Sequence, residues 1–141
     1  MRISLAADHA GFELKNVLVA HLREAGHEVT DLGTNSKESV DYPDFGKALA
    51  EHVAAGQSER GVLVCSSGIG ISIAANRIHK ARAAVVMNED MAEFCRRHND
   101  ANILCLGQKY VTPEMAKKYL GIFLATDFEG GRHARRVGKM C

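Results

Sequence analysis

Short runs of β-branched and aliphatic residues alternate along this chain with longer stretches in which apolar positions recur every three to four residues. The short runs, at 2–7, 28–32, 61–65, 82–87 and 102–106, predict strands. Between the first two, segment 12–25 carries Leu14, Val17, Leu18, Leu22 and Ala25 at helical spacing, and near the end Met115, Tyr119, Leu120, Phe123 and Leu124 repeat the pattern. Each of these helices should lay an apolar stripe on a sheet. Strands alternating with helices in this way predict βα units and hence an α/β fold with a parallel sheet. Pro43 and Pro113 fall where helices should begin, and Thr112 is placed to cap the helix that Pro113 opens. The only long irregular segment is polar, runs from 33 to 44, and ends in Asp41-Tyr42-Pro43-Asp44. With no internal repeat, low-complexity tract or linker, residues 1–141 read as one domain.

Composition narrows the function more than the fold. A chain of 141 residues can bury a core that needs neither disulfides nor a structural metal. Its net charge is +1 and no long run of one sign occurs, which argues against nucleic acid or a membrane surface as partner. The apolar runs are too short to cross a bilayer and Met1-Arg2-Ile3-Ser4-Leu5 leads directly into a strand pattern, so a cytoplasmic location is expected. Cysteines stand at 65, 95, 105 and 141 without a C-x-x-C pair or a matching pair of histidines. Free thiols are therefore expected, rather than a zinc site or a redox dithiol.

In an open parallel sheet, ligands bind outside the carboxyl ends of the strands. Three segments fall there: Asp8-His9-Ala10-Gly11, Cys65 to Gly70, and Asn88-Glu89-Asp90. The second puts a thiol at the end of a strand and then a turn of small residues, Ser66-Ser67-Gly68-Ile69-Gly70, before a helix. Most free cysteines are small buried hydrophobes. A thiol beside a helix N-terminus differs in that its thiolate is favoured, while the backbone N–H groups there can hold an anion. The turn is neither a Walker loop nor a dinucleotide fingerprint, and Ile71 stands where a Cys-x5-Arg phosphatase loop needs arginine. Asp8 can be read as a cap of the first helix, but Asp8 and His9 together suggest a polar site. His98 reads as a cation at a helix C-terminus, with Asn99 as a left-handed terminator. Because they precede a strand, the carboxyl-end rule does not place them. Arg132 and Arg136 would lie one turn apart on a helix and could face one phosphate.

The segments Ala7-Asp8-His9-Ala10-Gly11, Asp41-Tyr42-Pro43-Asp44, Cys65 to Asn76, Arg97-His98-Asn99-Asp100-Ala101-Asn102 and Glu129-Gly130-Gly131-Arg132-His133 occur in an order that resembles the ribose-5-phosphate isomerase type B family. That family also includes galactose-6-phosphate isomerase subunits and allose-6-phosphate isomerases. The resemblance spans essentially the whole chain. It implies a Rossmann-like three-layer sandwich with a five-stranded parallel sheet, and a homodimer or dimer of dimers whose active sites are shared between subunits. It also implies aldose–ketose isomerisation of a sugar phosphate with no cofactor and no metal.

Carried over by motif, Cys65 would be the base that moves a proton between C2 and C1, and Ser66 to Gly70, Ile69 included, would cradle the enediolate oxygen. Ser67 would assist proton movement between O1 and O2. His98 of a partner chain would help open the sugar ring, and Asp8 would position hydroxyls. His9, Arg132 and Arg136 would meet the phosphate, with Asn99 and Lys109 adding contacts and Tyr42 lining the pocket. Three positions depart from the family pattern: Ser66 replaces a common glycine, Ser67 a common threonine, and Lys109 an arginine found in some members. These bear on substrate preference, so ribose 5-phosphate, a six-carbon allose or galactose 6-phosphate, and a non-catalytic sugar-phosphate sensor all stay open at this point.

Overall fold

The computed structural model describes residues 1–140; Cys141 lies outside them. Five strands, β1 (Arg2–Ala7), β2 (Glu28–Asp31), β3 (Arg60–Cys65), β4 (Ala83–Val85) and β5 (Ile103–Gly107), form one sheet in the order β2-β1-β3-β5-β4, every pairing parallel. Six helices connect or follow them: α1 (Phe12–Glu24), α2 (Tyr42–Ala54), α3 (Ile69–Ala75), α4 (Glu89–Arg97), α5 (Pro113–Ala125) and α6 (Arg132–Gly138). The expected α/β sandwich is thus present.

Side chains of the central strands alternate between two cores. Ile3, Leu5, Val62, Val64, Leu104 and Leu106 meet α1, α4 and α5. Ala6, Leu63, Cys65, Ile103 and Cys105 meet α2 and α3. Burial on both faces is why β1, β3 and β5 read as continuous apolar runs. Polar Ser4 in β1 is fully buried, and its hydroxyl pairs at 2.8 Å with that of Ser58.

Strand ends differ from expectation by one or two residues, most in the fourth, where 82–87 shrinks to Ala83–Val85. β4 is an edge strand, half-buried throughout, and so lacks a second neighbour to extend its ladder. At its end, Asn88 caps α4 by accepting the Met91 N–H at 2.8 Å, so the Asn88-Glu89-Asp90 segment opens a helix. Thr112 caps α5 as expected, its hydroxyl accepting the Met115 N–H at 3.1 Å, with Pro113 in the first turn. After α4, the left-handed residue is Asp100 (φ 47°), not Asn99. Its carboxylate holds Arg96 at 2.7 Å and Arg82 at 3.3 Å, which fixes the turn at that residue. Among the described residues no helix is long and apolar enough to cross a membrane.

Candidate active site

Cys65 is the last residue of β3, and its side chain belongs to the core facing α2 and α3, with 4% of the residue exposed. The chain then turns sharply. Gly68 adopts φ 80°, and a Cβ there would lie 3.1 Å from the Leu106 carbonyl carbon, so glycine is required both by conformation and by space. The turn brings the Gly68 N–H to 3.1 Å from Cys65 Sγ, with sulfur as acceptor. One residue on, the Ile69 N–H donates to Ser67 Oγ at 3.2 Å. Gly68, the N-cap of α3, offers no side-chain acceptor, so with the Ile69 N–H taken by Ser67 it is the Gly70 and Ile71 amides of the first turn that stay available to a ligand oxygen. Tyr42, at the start of α2, packs so closely on Gly70 that a Cβ there would sit 2.6 Å from its ring.

Neighbouring strands supply the rest of this rim. Ala7 pairs with Val64, and Asp8, the residue after β1, donates its N–H to the Val64 carbonyl at 3.3 Å, which sets it next to the Cys65 end of β3. Asp8 is buried, and its Oδ1 accepts N–H groups of Ala10 (3.0 Å) and Gly11 (3.1 Å). The N-cap of α1 is Gly11, so Asp8 shapes the turn ahead of the helix instead of capping it. His9 Nδ1 accepts the Val40 N–H at 3.1 Å, which leaves the ring proton on Nε2 when the imidazole is neutral. After β5, the N–H groups of Gln108 and Lys109 donate to the carbonyls of Cys65 (2.9 Å) and Ser66 (3.0 Å). Exposed Lys109 is thereby fastened to the thiol-bearing turn.

The other predicted residues lie elsewhere. β3 and β5 run in register, Gly61 with Ile103 and Cys65 with Gly107. Asn102 bonds the Gly61 N–H at the amino edge, and the turn 98–101 leads into it. Four residues of strand, roughly 13 Å, separate that edge from the level of Cys65. His98, half-buried, and exposed Asn99 follow α4 on this side. Arg132 and Arg136 lie one turn apart on α6, both exposed, and α6 is tied here because His133 stacks on His98 with ring centroids 4.2 Å apart. One copy therefore gathers Cys65, Ser66, Ser67, Gly68, Ile69, Gly70, Asp8, His9, Tyr42 and Lys109 at the carboxyl edge. It holds His98, Asn99, Arg132 and Arg136 at the opposite one.

Beside His98 the structure adds two residues that the sequence reading gave no role. The carboxylate of Glu129 stands 3.8 Å from Nε2 of both His98 and His133 and 3.3 Å from Arg97. Burial, and then the nearby charges of His98 and Arg132, push the His133 imidazole below its ordinary value. The i,i+4 spacing of Glu129 and His133 was a signal, but Glu129 precedes the helix, so only the fold closes the pair. All three described thiols are buried, but Cys65 ends its strand at the turn, whereas Cys95 lies within α4 and Cys105 within β5; burial pushes Cys95 up to about 11 and Cys105 up as well.

Residues 3–140 match the family described as Ribose/Galactose Isomerase. Ribose-5-phosphate isomerase B of Escherichia coli is 45% identical over 136 residues, covering 96% of this chain and 91% of that protein. The Clostridium thermocellum ribose-5-phosphate isomerase B structure superposes with a TM-score of 0.98 at 48% identity, covering 99% of this chain and 95% of the other. The Mycoplasma genitalium ribose-5-phosphate isomerase B, solved with bound ribulose-5-phosphate, gives a TM-score of 0.95 at 39% identity, covering 99% and 93%. A match over nearly the full chain, with the thiol turn set in a five-stranded parallel sheet, settles membership: the chain belongs to the ribose/galactose isomerase family.

Proposed function

We propose that this protein is an aldose–ketose isomerase that interconverts ribose 5-phosphate and ribulose 5-phosphate, with Cys65 as the proton carrier. The observation that carries the reading is the Cys65 turn, where Sγ faces a backbone N–H at 3.1 Å and the adjoining helix start leaves amides for an oxyanion. A proton on carbon next to a carbonyl is weakly acidic, so its removal needs a placed base and donors for the oxygen that gains charge. Cys65 takes the C2 proton of the open-chain aldose; the C–H electron pair forms the C1–C2 double bond and the carbonyl pair moves onto O1. The turn amides hold that oxygen. Ser67 Oγ passes the hydroxyl proton from O2 to O1, and Cys65 returns its proton to C1, leaving the ketose carbonyl at C2. Asp8 fixes sugar hydroxyls, and His9 presents its Nε2 proton to the phosphate, with Tyr42 and Lys109 flanking the pocket.

Ring opening and the remaining phosphate contacts fall to His98, Asn99, Arg132 and Arg136, and we assign these to a second copy of the chain. Their place at the amino edge, about 13 Å along the strands from Cys65, supports a homodimer with shared sites. So do Ile69 and Ile73, one turn apart on α3 and 54% and 53% exposed, an apolar face beside the thiol turn. In deuterated water, ribulose 5-phosphate should yield ribose 5-phosphate labelled at C2, and Cys65→Ala should abolish the exchange. Normal turnover by that variant removes the Cys65 role. Comparing kcat/KM with allose and galactose 6-phosphates tests the pentose assignment; a clear hexose preference overturns it. Binding with no exchange would identify a sensor.

A further inference from the structure

We propose that His98, Glu129 and His133 form a binding site for a divalent transition-metal ion of the zinc or cobalt class. Their ligand atoms lie within 4.8 Å of one another. His133 supplies the independent sign that something is missing: its side chain is 7% exposed, yet Nε2 is buried without a hydrogen-bond partner. A buried imidazole nitrogen without a partner is costly, and a metal ion is one group that would satisfy it. Glu129 stands between the two rings, Oε1 3.8 Å from His133 Nε2 and Oε2 3.8 Å from His98 Nε2.

Two imidazoles and a carboxylate suit zinc and cobalt, whereas magnesium and calcium take oxygen sets. Three protein ligands with a fourth position left to water is also the make-up of an exchangeable zinc site. Capture requires movement, because tetrahedral coordination puts ligand atoms roughly 3.3 Å apart. The two rings, now parallel within 9° at 4.2 Å, must splay so that both Nε2 lone pairs converge. His98 follows a helix end and is half-buried, which gives it that freedom. Arg97, 3.3 Å from Glu129 Oε2, opposes the ion, so binding is reversible rather than structural. Under the function proposed above, occupation withdraws the His98 nitrogen needed for ring opening, so the ion acts as an inhibitor. That last step rests on the isomerase reading; the binding does not.

Titrating the full-length protein with cobalt(II) tests the site directly. Support is one equivalent of cobalt per chain with visible ligand-field bands, and at least tenfold weaker binding in both Glu129→Gln and His133→Gln. Glu129 is partly exposed, so Glu129→Gln keeps its fold and decides the matter should His133→Gln not fold. No bands at millimolar cobalt, bands unchanged in Glu129→Gln, or only the near-ultraviolet thiolate absorption of a cysteine site each overturn the proposal. Zinc should also lower the isomerase rate, with recovery on adding EDTA; cobalt binding without inhibition overturns the inhibitory part. Bands from a protein with no isomerase activity under any condition would leave the site standing and refute the function instead.

Discussion

The ion pair between Lys15 and Asp31 offers a sharp test of how the site's scaffold is held. Lys15 on α1 points into the sheet, its side chain 1% exposed, and Nζ donates to both carboxylate oxygens of Asp31 at 2.8 Å. Asp31 ends β2, has a side chain 26% exposed, and also accepts the Gly33 N–H at 2.9 Å. Gly33 in turn bonds the Ala7 N–H, and the segment it opens delivers the Val40 N–H to His9. The two partners are unequal in burial, so removing them should cost unequal amounts. Asp31→Asn leaves an ammonium in the interior without a counter-ion and should cost about 3–5 kcal/mol. Lys15→Met fills the same space with an apolar chain and leaves a carboxylate that reaches water and keeps its Gly33 donor, so about 1–2 kcal/mol is expected. At this chain length 1 kcal/mol corresponds to roughly 3 °C in Tm. Asp31→Asn should therefore melt about 9–15 °C below the parent and Lys15→Met about 3–6 °C below it, by circular dichroism at neutral pH. The double variant, with no buried charge, should melt above Asp31→Asn alone. A Lys15→Met loss equal to or larger than that of Asp31→Asn would refute the account.

The proposed division of the site between copies predicts complementation: Cys65→Ala and His98→Ala proteins, each inactive, should regain about a quarter of parental activity when subunits are reassorted, since each mixed dimer holds one intact site. No recovery despite mixed dimers seen by mass spectrometry would place the site within one chain. Gly11→Ala should cost at least about 3 kcal/mol in denaturant unfolding, because its Cβ would lie 2.4 Å from the Val64 carbonyl oxygen, backbone that cannot move without displacing Cys65. A change below 1 kcal/mol would show that β3 yields there. Iodoacetamide at pH 8 should label Cys95 very slowly, since a thiol near 11 is ionised to about one part in a thousand, and labelling should rise as pH approaches 11 in briefly exposed, still-folded protein. Ribose 5-phosphate should slow modification of Cys65 and leave that of Cys95 unchanged; peptide mass spectrometry reads both.

Much of the carboxyl edge was legible from sequence because each part is local. Cys65 is where an apolar run stops, Gly68 and Gly70 follow at once, and Asp8-His9 ends another apolar run, so one rule about parallel sheets gathers them. The helix caps at Thr112 and Asn88 are equally local, although only the former was anticipated. What failed depends on contacts distant in sequence. The left-handed position went to Asp100 because Arg82 and Arg96 converge on its carboxylate, and β4 shortened because it lies at the sheet edge.

His98 shows the limit most clearly. It is adjacent in sequence to β5, whose other end reaches the thiol turn, yet α4 runs antiparallel to the strands and leaves it at the amino edge. The family resemblance implies that His98 comes from a partner chain, but sequence order alone does not show how far apart the two edges lie within one copy. In the fold, strands of six and five residues hold the two edges roughly 13 Å apart, which supports the proposed supply of His98 by a second copy. Under the proposed function, the chemistry that uses both edges takes place where two copies meet. The exposed Ile69 and Ile73 beside Cys65 are where that second copy is expected to pack.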